Sequence, residues 1–196
     1  MYSYKQGLKS LSNLLEFLIF FKFLKINLYF IFYIIYFCIL FNIYFANINL
    51  DINSVLRIRN HLYYYKKITV LDLSYCNITD ALSNELADGI MKAKALEKLY
   101  LVGNNMNKGL SNILYNLAFQ PSIKIIDISN NQTCDKKEAA ISLHKFIKMS
   151  QTVHTIIANN FQNLNKELTK EFYTSLGDSN NLIYLDLSNN GNFSNV

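Results

Sequence analysis

This chain of 196 residues has little cysteine, little arginine and almost no proline. Its three cysteines, Cys38, Cys76 and Cys134, are odd in number and widely spaced, which excludes a disulfide framework and leaves no Cys/His cluster for zinc. Arginine occurs only at Arg57 and Arg59. The abundance of Asn, Ile, Lys, Tyr and Phe is typical of an AT-rich coding sequence, so frequent Asn and Lys carry little functional information.

Excess positive charge is missing from the larger part of the chain. Residues 1–67 hold eight Lys/Arg and two Asp/Glu, whereas residues 68–196 hold eleven Lys and twelve Asp/Glu, so the net charge of +5 comes from the first segment. Phosphate binding favours clustered cations. We therefore predict that the protein has no nucleic-acid partner.

Catalytic and cofactor-binding motifs are also missing. His61, His144 and His154 are isolated in sequence, and none lies in an HExxH motif or beside a GxSxG nucleophile. No GxxxxGK[ST] or GxGxxG phosphate loop occurs. We predict that the protein is not an enzyme and holds no cofactor or metal.

The chain does contain an internal repeat. Its units begin at Ile68, Leu96, Ile123, Val153 and Leu182, at intervals of 28, 27, 30 and 29 residues. Each unit starts with the pattern LxxLxLxxN, where L is any aliphatic residue. The LxL part alternates with the period of a short strand that has one buried face, and apolar residues at helical spacing follow it. Side-by-side strands joined by helices form a parallel sheet.

These five units resemble the leucine-rich repeat family, and their period resembles its ribonuclease-inhibitor-like subtype. The resemblance covers about residues 68–196. It implies an α/β solenoid with short parallel strands on the concave face and helices on the convex face. The last of the five repeats is incomplete, which raises two further hypotheses: a fragment of a longer repeat protein, and self-association through an uncapped C-terminal end.

The ninth position of the motif is expected to form a structural ladder. The chain leaves backbone groups inside the solenoid as it turns out of each strand, and a buried amide can pair with them. The predicted ladder residues are Cys76, Asn104, Asn131 and Asn190. Phe161 occupies this position in the fourth unit, where we expect a local irregularity with Asn159 or Asn160 compensating.

Residues 1–50 form an apolar segment, and no charged residue lies between Ile26 and Leu50. That length predicts a transmembrane helix over about 26–48, ahead of the solenoid. The protein would then be a single-pass membrane protein with a cytosolic repeat domain. Alternatively, Leu40, Ile43, Phe45 and Ile48 fit the repeat spacing loosely. Residues 51–67 are then a degenerate leading repeat rather than a linker, the apolar run is too short to span, and the protein is cytoplasmic.

The resemblance implies a non-enzymatic protein–protein interaction module, a scaffold or adaptor with a possible membrane tether, that binds an unidentified protein on its concave face. The predicted contact residues are Asp72, Lys98, Tyr100, Ile125, Asp127, Ile157, Tyr184 and Asp186. The alternative is a regulator of a small GTPase, by analogy of fold with the Ran GTPase-activating protein. No arginine follows Arg59, so the repeats offer no arginine finger.

Overall fold

Strands and helices alternate along the chain in a computed structural model that describes residues 42–106, 108–131, 135–161 and 164–192. The strands are β1 (Asn42–Tyr44), β2 (Val70–Asp72), β3 (Lys98–Tyr100), β4 (Ile125–Asp127), β5 (Thr155–Ile157) and β6 (Tyr184–Asp186). The helices are α1 (Ile52–Tyr64), α2 (Asp80–Lys92), α3 (Gly109–Leu117), α4 (Lys136–Met149), α5 (Leu164–Glu167) and α6 (Lys170–Asp178).

The six strands form one parallel sheet whose order follows the chain from β1 to β6. The central residues of neighbouring strands are in register, as in the pairs Leu71 with Leu99 and Leu99 with Ile126. Each strand therefore places the same motif position beside its neighbour. The predicted α/β architecture is confirmed, and the arrangement fits a repeat solenoid.

The core lies between this sheet and the helices. Leu96, Leu99 and Leu101 of one motif have no exposed surface, and Leu86 and Ile90 of α2 are equally buried. Fully burying such a side chain contributes about 1.5–3 kcal/mol. The core continues to the last strand, where the matching residues Leu182, Leu185 and Leu187 are only partly buried.

A left-handed residue turns the chain out of each strand. The residue just before each ladder position has a positive φ, in the left-handed region that favours glycine or asparagine. These residues are Asn47, Tyr75, Gly103, Asn130, Asn160 and Asn189. The recurrence shows that one turn geometry serves every repeat, including the one that begins at β1.

The sheet begins one repeat earlier than the predicted boundary at residue 68. Strand β1 pairs with β2, and α1 connects the two, so this region occupies the positions that the alternative interpretation gave to a degenerate leading repeat. Asn42–Tyr44 is a strand within the predicted transmembrane helix of 26–48. The rest of that predicted helix, and of the N-terminal apolar segment, lies outside the described residues.

The predicted single-pass membrane localisation is wrong. In the part of the chain that the structure describes, no helix combines the length and the apolar character needed to cross a bilayer. High hydropathy between residues 26 and 50 suggested a single helix there, but Ile43 and Phe45 instead pack against the edge of the solenoid core.

The fourth unit is irregular, as expected from Phe161. Its helical segment is split into the short α5 and the longer α6. The expected compensation by Asn159 or Asn160 is wrong, because their amides donate to the side chains of Asp186 and Asn130. Instead, the buried Asn165 ties α5 to the last turn, with its Nδ2 donating to the carbonyl of Gly191 at 2.8 Å.

Candidate functional site

The ladder residues lie inside the solenoid, behind the turns that follow the strands. Asn104 is 2% exposed. Its Nδ2 donates to the carbonyl of Leu73 in the preceding repeat at 3.0 Å, and its Oδ1 accepts from the amide nitrogen of Cys76 at 3.1 Å. One side chain therefore satisfies buried backbone groups of two repeats and is inaccessible to a partner.

The same donation recurs at the other ladder positions. The Nδ2 of Asn131 donates to the carbonyl of Leu101 at 3.0 Å, and that of Asn190 donates to the carbonyl of Ala158 at 2.7 Å. At the first position the Sγ of Cys76 lies 3.0 Å from the carbonyl of Phe45. Burial raises the pKa of the Cys76 thiol, which keeps it protonated and able to donate. The thiol thus takes the place of an amide.

The predicted contact residues lie in two rows on the opposite face of the sheet. The central residue of each strand points into the core, so the first and third residues share the concave face. The first-position row contains Asn42, Val70, Lys98, Ile125, Thr155 and Tyr184. The third-position row contains Tyr44, Asp72, Tyr100, Asp127, Ile157 and Asp186. All eight predicted residues belong to these rows, and whether they bind a partner stays a prediction.

Tyr44 is a member of the third-position row that was not among the predicted contact residues. It is 63% exposed and pairs with Asp72 across the first two strands. The signal available for finding it was the loose spacing of Ile43 and Phe45, which brackets Tyr44 as an outward residue. With Tyr44 included, tyrosine and aspartate alternate over the first four strands of the row.

The three aspartates of this row also stabilise their own turns. Each Oδ1 accepts from the backbone nitrogen of the serine two residues later, at 3.0 Å for Asp72, 3.0 Å for Asp127 and 2.8 Å for Asp186. Such local bonds are a common role of aspartate at the end of a strand. A structural role therefore accounts for one oxygen of each carboxylate.

The electrostatics of the row are not uniform. Burial raises the pKa of Asp127, and the neighbouring charges of Asp186 and Asp72 raise it further, against the hydrogen bonds from Ser129. The pKa of Asp186 is lowered, first by the hydrogen bond from the side chain of Asn159 and then by the bonds from Ser188. Asp127 is therefore the carboxylate that would gain most from a cationic ligand.

Tyr100 lies between two of these carboxylates. Burial raises its pKa, and Tyr44, Asp72 and Asp127 raise it further, so the hydroxyl stays neutral at physiological pH. A half-buried phenol flanked by acids presents an apolar ring and a hydrogen-bonding tip. Together these residues form a surface suited to a cationic side chain beside an aromatic contact.

A groove of about 380 Å³ lies on the convex side, between α4 and α6. His144 Nδ1 lies 3.2 Å from Ser175 Oγ, but that hydroxyl donates to the carbonyl of Phe172 at 2.7 Å. Its proton is committed to the backbone, so the pair is not an activated serine. Across the described ranges, no cluster of three His, Cys, Asp or Glu side chains is placed to hold a metal ion.

Comparisons with known proteins agree with this architecture. A family model described as "Leucine Rich repeat" matches residues 66–81, the beginning of the first predicted unit, and supports assignment to that family. No curated protein matches the chain.

Two solved structures share the fold. The tropomodulin C-terminal domain of Caenorhabditis elegans is similar with a TM-score of 0.59 at 12% identity, over 71% of this chain and 81% of that chain. Leiomodin-1 Actin-Binding Site 2 is similar with a TM-score of 0.57 at 14% identity, over 70% of this chain and 81% of that chain. At this identity the likeness concerns the fold alone.

Proposed function

We propose that the protein is a non-enzymatic protein–protein interaction module that holds its partner on the concave face. The observation that carries this proposal is the third-position row, in which aspartates alternate with Tyr44, Tyr100 and Ile157 across all six strands. The 27–30 residue period, with one helical segment between successive strands, supports the ribonuclease-inhibitor-like subtype. Aromatic residues are favoured anchors of interfaces, and opposite charge provides specificity.

The row defines the chemistry of the partner. Neighbouring strands lie about 4.8 Å apart, so the aspartates, which occupy every second strand, lie about 10 Å apart. An extended segment in the polyproline II conformation has three residues per turn and rises about 3.1 Å per residue, so every third side chain faces the same side at intervals of about 9 Å. A segment with Lys or Arg at every third residue would therefore place its cations opposite Asp72, Asp127 and Asp186.

Actin is the first whole protein to test. Leiomodin-1 Actin-Binding Site 2 shares the fold over 81% of its length, although 14% identity transfers no contact residue. Co-sedimentation of the full chain with actin filaments, and gel filtration with monomeric actin, measures this directly. If the chain binds neither form, actin is excluded as the partner, and the peptide experiment alone then tests the concave-face proposal.

The peptide experiment tests the concave face itself. A fluorescent peptide with lysine at every third residue is titrated with the full chain, and the anisotropy gives its Kd. The double variant Asp72→Asn and Asp127→Asn keeps an oxygen for each turn but removes two charges, and we expect binding to weaken about tenfold, or 1.4 kcal/mol. The matched control is Asp88→Asn, which removes an exposed charge from α2. Equal loss in both variants would refute the proposal.

The other functional hypotheses gain no support. Arg59, the last arginine of the chain, forms an ion pair with Glu85 and is not available as an arginine finger. GTPase regulation is therefore not part of the proposal, and neither is self-association through the C-terminal end, which no contact among the described residues supports.

A further inference from the structure

We infer that the protein has a second docking surface, at the edge where the helices of its first two repeats lead into the following strands, and that this surface takes an acidic segment of a partner protein. We call it the tyrosine–lysine edge. Its residues are Tyr63, Tyr64, Tyr65, Lys66, Lys67, Lys92 and Lys94.

Equivalent turns of two repeats bring these residues together. Helix α1 ends with its C-cap at Tyr65, and α2 ends with its C-cap at Ala93. The nitrogen of Ile68 donates to the carbonyl of Tyr65, and that of Leu96 donates to the carbonyl of Ala93. The two turns therefore have the same geometry in adjacent repeats, and the lysines that follow α1 lie beside those that surround the end of α2.

The tyrosines of this edge do not pack into the core. Tyr64 is 75% exposed, Tyr63 is 52% exposed and Tyr65 is 45% exposed. Tyr63 and Tyr64 contact each other edge to face at 5.3 Å between ring centroids, and Tyr65 stacks on His61 at 4.2 Å. Three consecutive exposed rings with local aromatic partners form an amphipathic surface of the kind found at interfaces.

The charge of the edge is not balanced by neighbours. Its four lysines are exposed, and none forms an ion pair within the described ranges, where the salt bridges are Arg59 with Glu85 and Lys124 with Glu97. Asp88, one turn earlier on α2, is the nearest acidic residue in that helix. The edge therefore carries a net positive charge.

Lysines at a helix C-terminus also have a structural use, since they offset the negative end of the helix dipole by about 0.3–1 kcal/mol. That role suits Lys92, which lies in the last turn of α2. It does not account for Tyr64, which faces solvent, or for Lys67, which lies beyond the helix. A ligand that uses both the rings and the cations does account for them.

A short acidic protein segment fits this edge better than a long polyanion. Residues 68–196 hold eleven Lys and twelve Asp/Glu, so a nucleic acid that extends beyond the edge meets no excess of cations. The edge is also opposite in charge to the aspartates of the third-position row. The two surfaces therefore select partners of opposite charge, and each can be tested without the other.

The test uses the full chain and three fluorescent probes: a twelve-residue peptide of glutamate, leucine and glycine, its counterpart with lysine for glutamate, and a single-stranded twelve-base oligonucleotide. Anisotropy at low salt gives each Kd. We expect the acidic peptide to bind, and the double variant Lys66→Gln and Lys67→Gln to weaken that binding about tenfold. Tyr64→Ser should weaken it about threefold, because the ring contact is lost while the charge is unchanged.

The matched control is the double variant Lys108→Gln and Lys137→Gln, which removes two exposed lysines from the starts of other helices. It should leave the Kd of the acidic peptide within about twofold, and so should Asp127→Asn. Equal weakening by the control variant, no binding of the acidic peptide, or tighter binding of the oligonucleotide would each overturn the inference. If the acidic peptide binds the full chain but the lysine peptide does not, only the concave-face proposal is overturned.

Discussion

Replacing Asn104 with leucine tests whether one buried amide holds two neighbouring repeats together. The Nδ2 donates to the carbonyls of Leu73 and Leu101 at 3.0 and 2.9 Å. The Oδ1 accepts from the backbone nitrogens of Cys76 and Ile78 at 3.1 and 3.0 Å. Leucine has the same branched side-chain skeleton but makes none of these bonds, so the substitution removes the hydrogen bonds while leaving a filled site.

The expected cost follows from the groups that lose their partner. Cys76 and Ile78 are completely buried, so water does not replace the lost acceptor. An unsatisfied buried group costs about 1–3 kcal/mol, and two N–H groups together cost about 2–6 kcal/mol. Because a domain is stable by about 5–15 kcal/mol, the Asn104→Leu variant should be strongly destabilised or unfolded.

Urea denaturation followed by circular dichroism measures this loss. The control is Asn105→Leu, which makes the same change at the next residue, where the side chain is exposed. Its free energy of unfolding should stay within about 0.5 kcal/mol of the original. A loss below about 1 kcal/mol at Asn104, or equal losses at the two positions, would refute the assignment of a structural ladder.

Four further predictions concern single residues. Burial raises the pKa of Asp127, so its ionised form lowers stability at neutral pH; Asp127→Asn should raise the Tm at pH 7, and this gain should vanish in thermal melts as the pH falls below the ordinary value of 3.8. A Cβ at Gly89 would lie 2.9 Å from the Cα of Arg59, so Gly89→Ala should cost about 1–3 kcal/mol in urea denaturation. A Cβ at Gly177 would meet no atom within 4 Å, so Gly177→Ala should raise the free energy of unfolding by about 0.5–1 kcal/mol. In a variant without the other two cysteines, the buried Cys76 should react with a thiol reagent about 100-fold more slowly in native protein than in urea.

The sheet was predictable because the repeat spacing encodes register directly. Leu71, Leu99 and Ile126 occupy the same motif position, pair in register and have no exposed surface. Side chains of a strand alternate between its two faces, so a shift of one residue in the pairing would move the whole apolar set to the solvent face. The repeated motif therefore fixes the register of neighbouring strands. The spacing also located the ladder residues, since the same turn follows every strand.

The first repeat was harder to predict because it lacks the features that identify the others. The position equivalent to a ladder residue is Ile48, which is 47% exposed and has no side-chain amide that could donate a hydrogen bond. Strand β1 also follows a long apolar stretch, whose hydropathy resembles that of a transmembrane helix more than that of a three-residue strand. Tyr44 was missed for the same reason, since its role depends on the pairing of β1 with β2.

The tyrosine–lysine edge shows a second limit of periodic patterns. The repeat predicts what each unit shares, but Tyr64 and Lys67 belong to one unit and have no counterparts of the same type in the next, where Lys92 and Ala95 occupy the equivalent positions. Such residues can contact a partner only if they are exposed, and their exposure depends on the tertiary structure. The tyrosine–lysine edge therefore lies in a departure from the repeat, which a consensus sequence would not show.

The charge of the concave-face aspartates can be tested separately from their structural role in the turns. Asp127 Oδ1 accepts from the Ser129 nitrogen, a bond that asparagine can also make, so the turn alone does not require a carboxylate. Its charge is disfavoured by burial and by Asp72 and Asp186, and no cation is ion-paired with it among the described residues. A carboxylate whose charge opposes folding, at a position where asparagine would preserve the turn, is expected where the charge serves to bind a cationic partner. If Asp127→Asn raises stability and leaves binding of the lysine peptide unchanged, that reasoning fails at its central step.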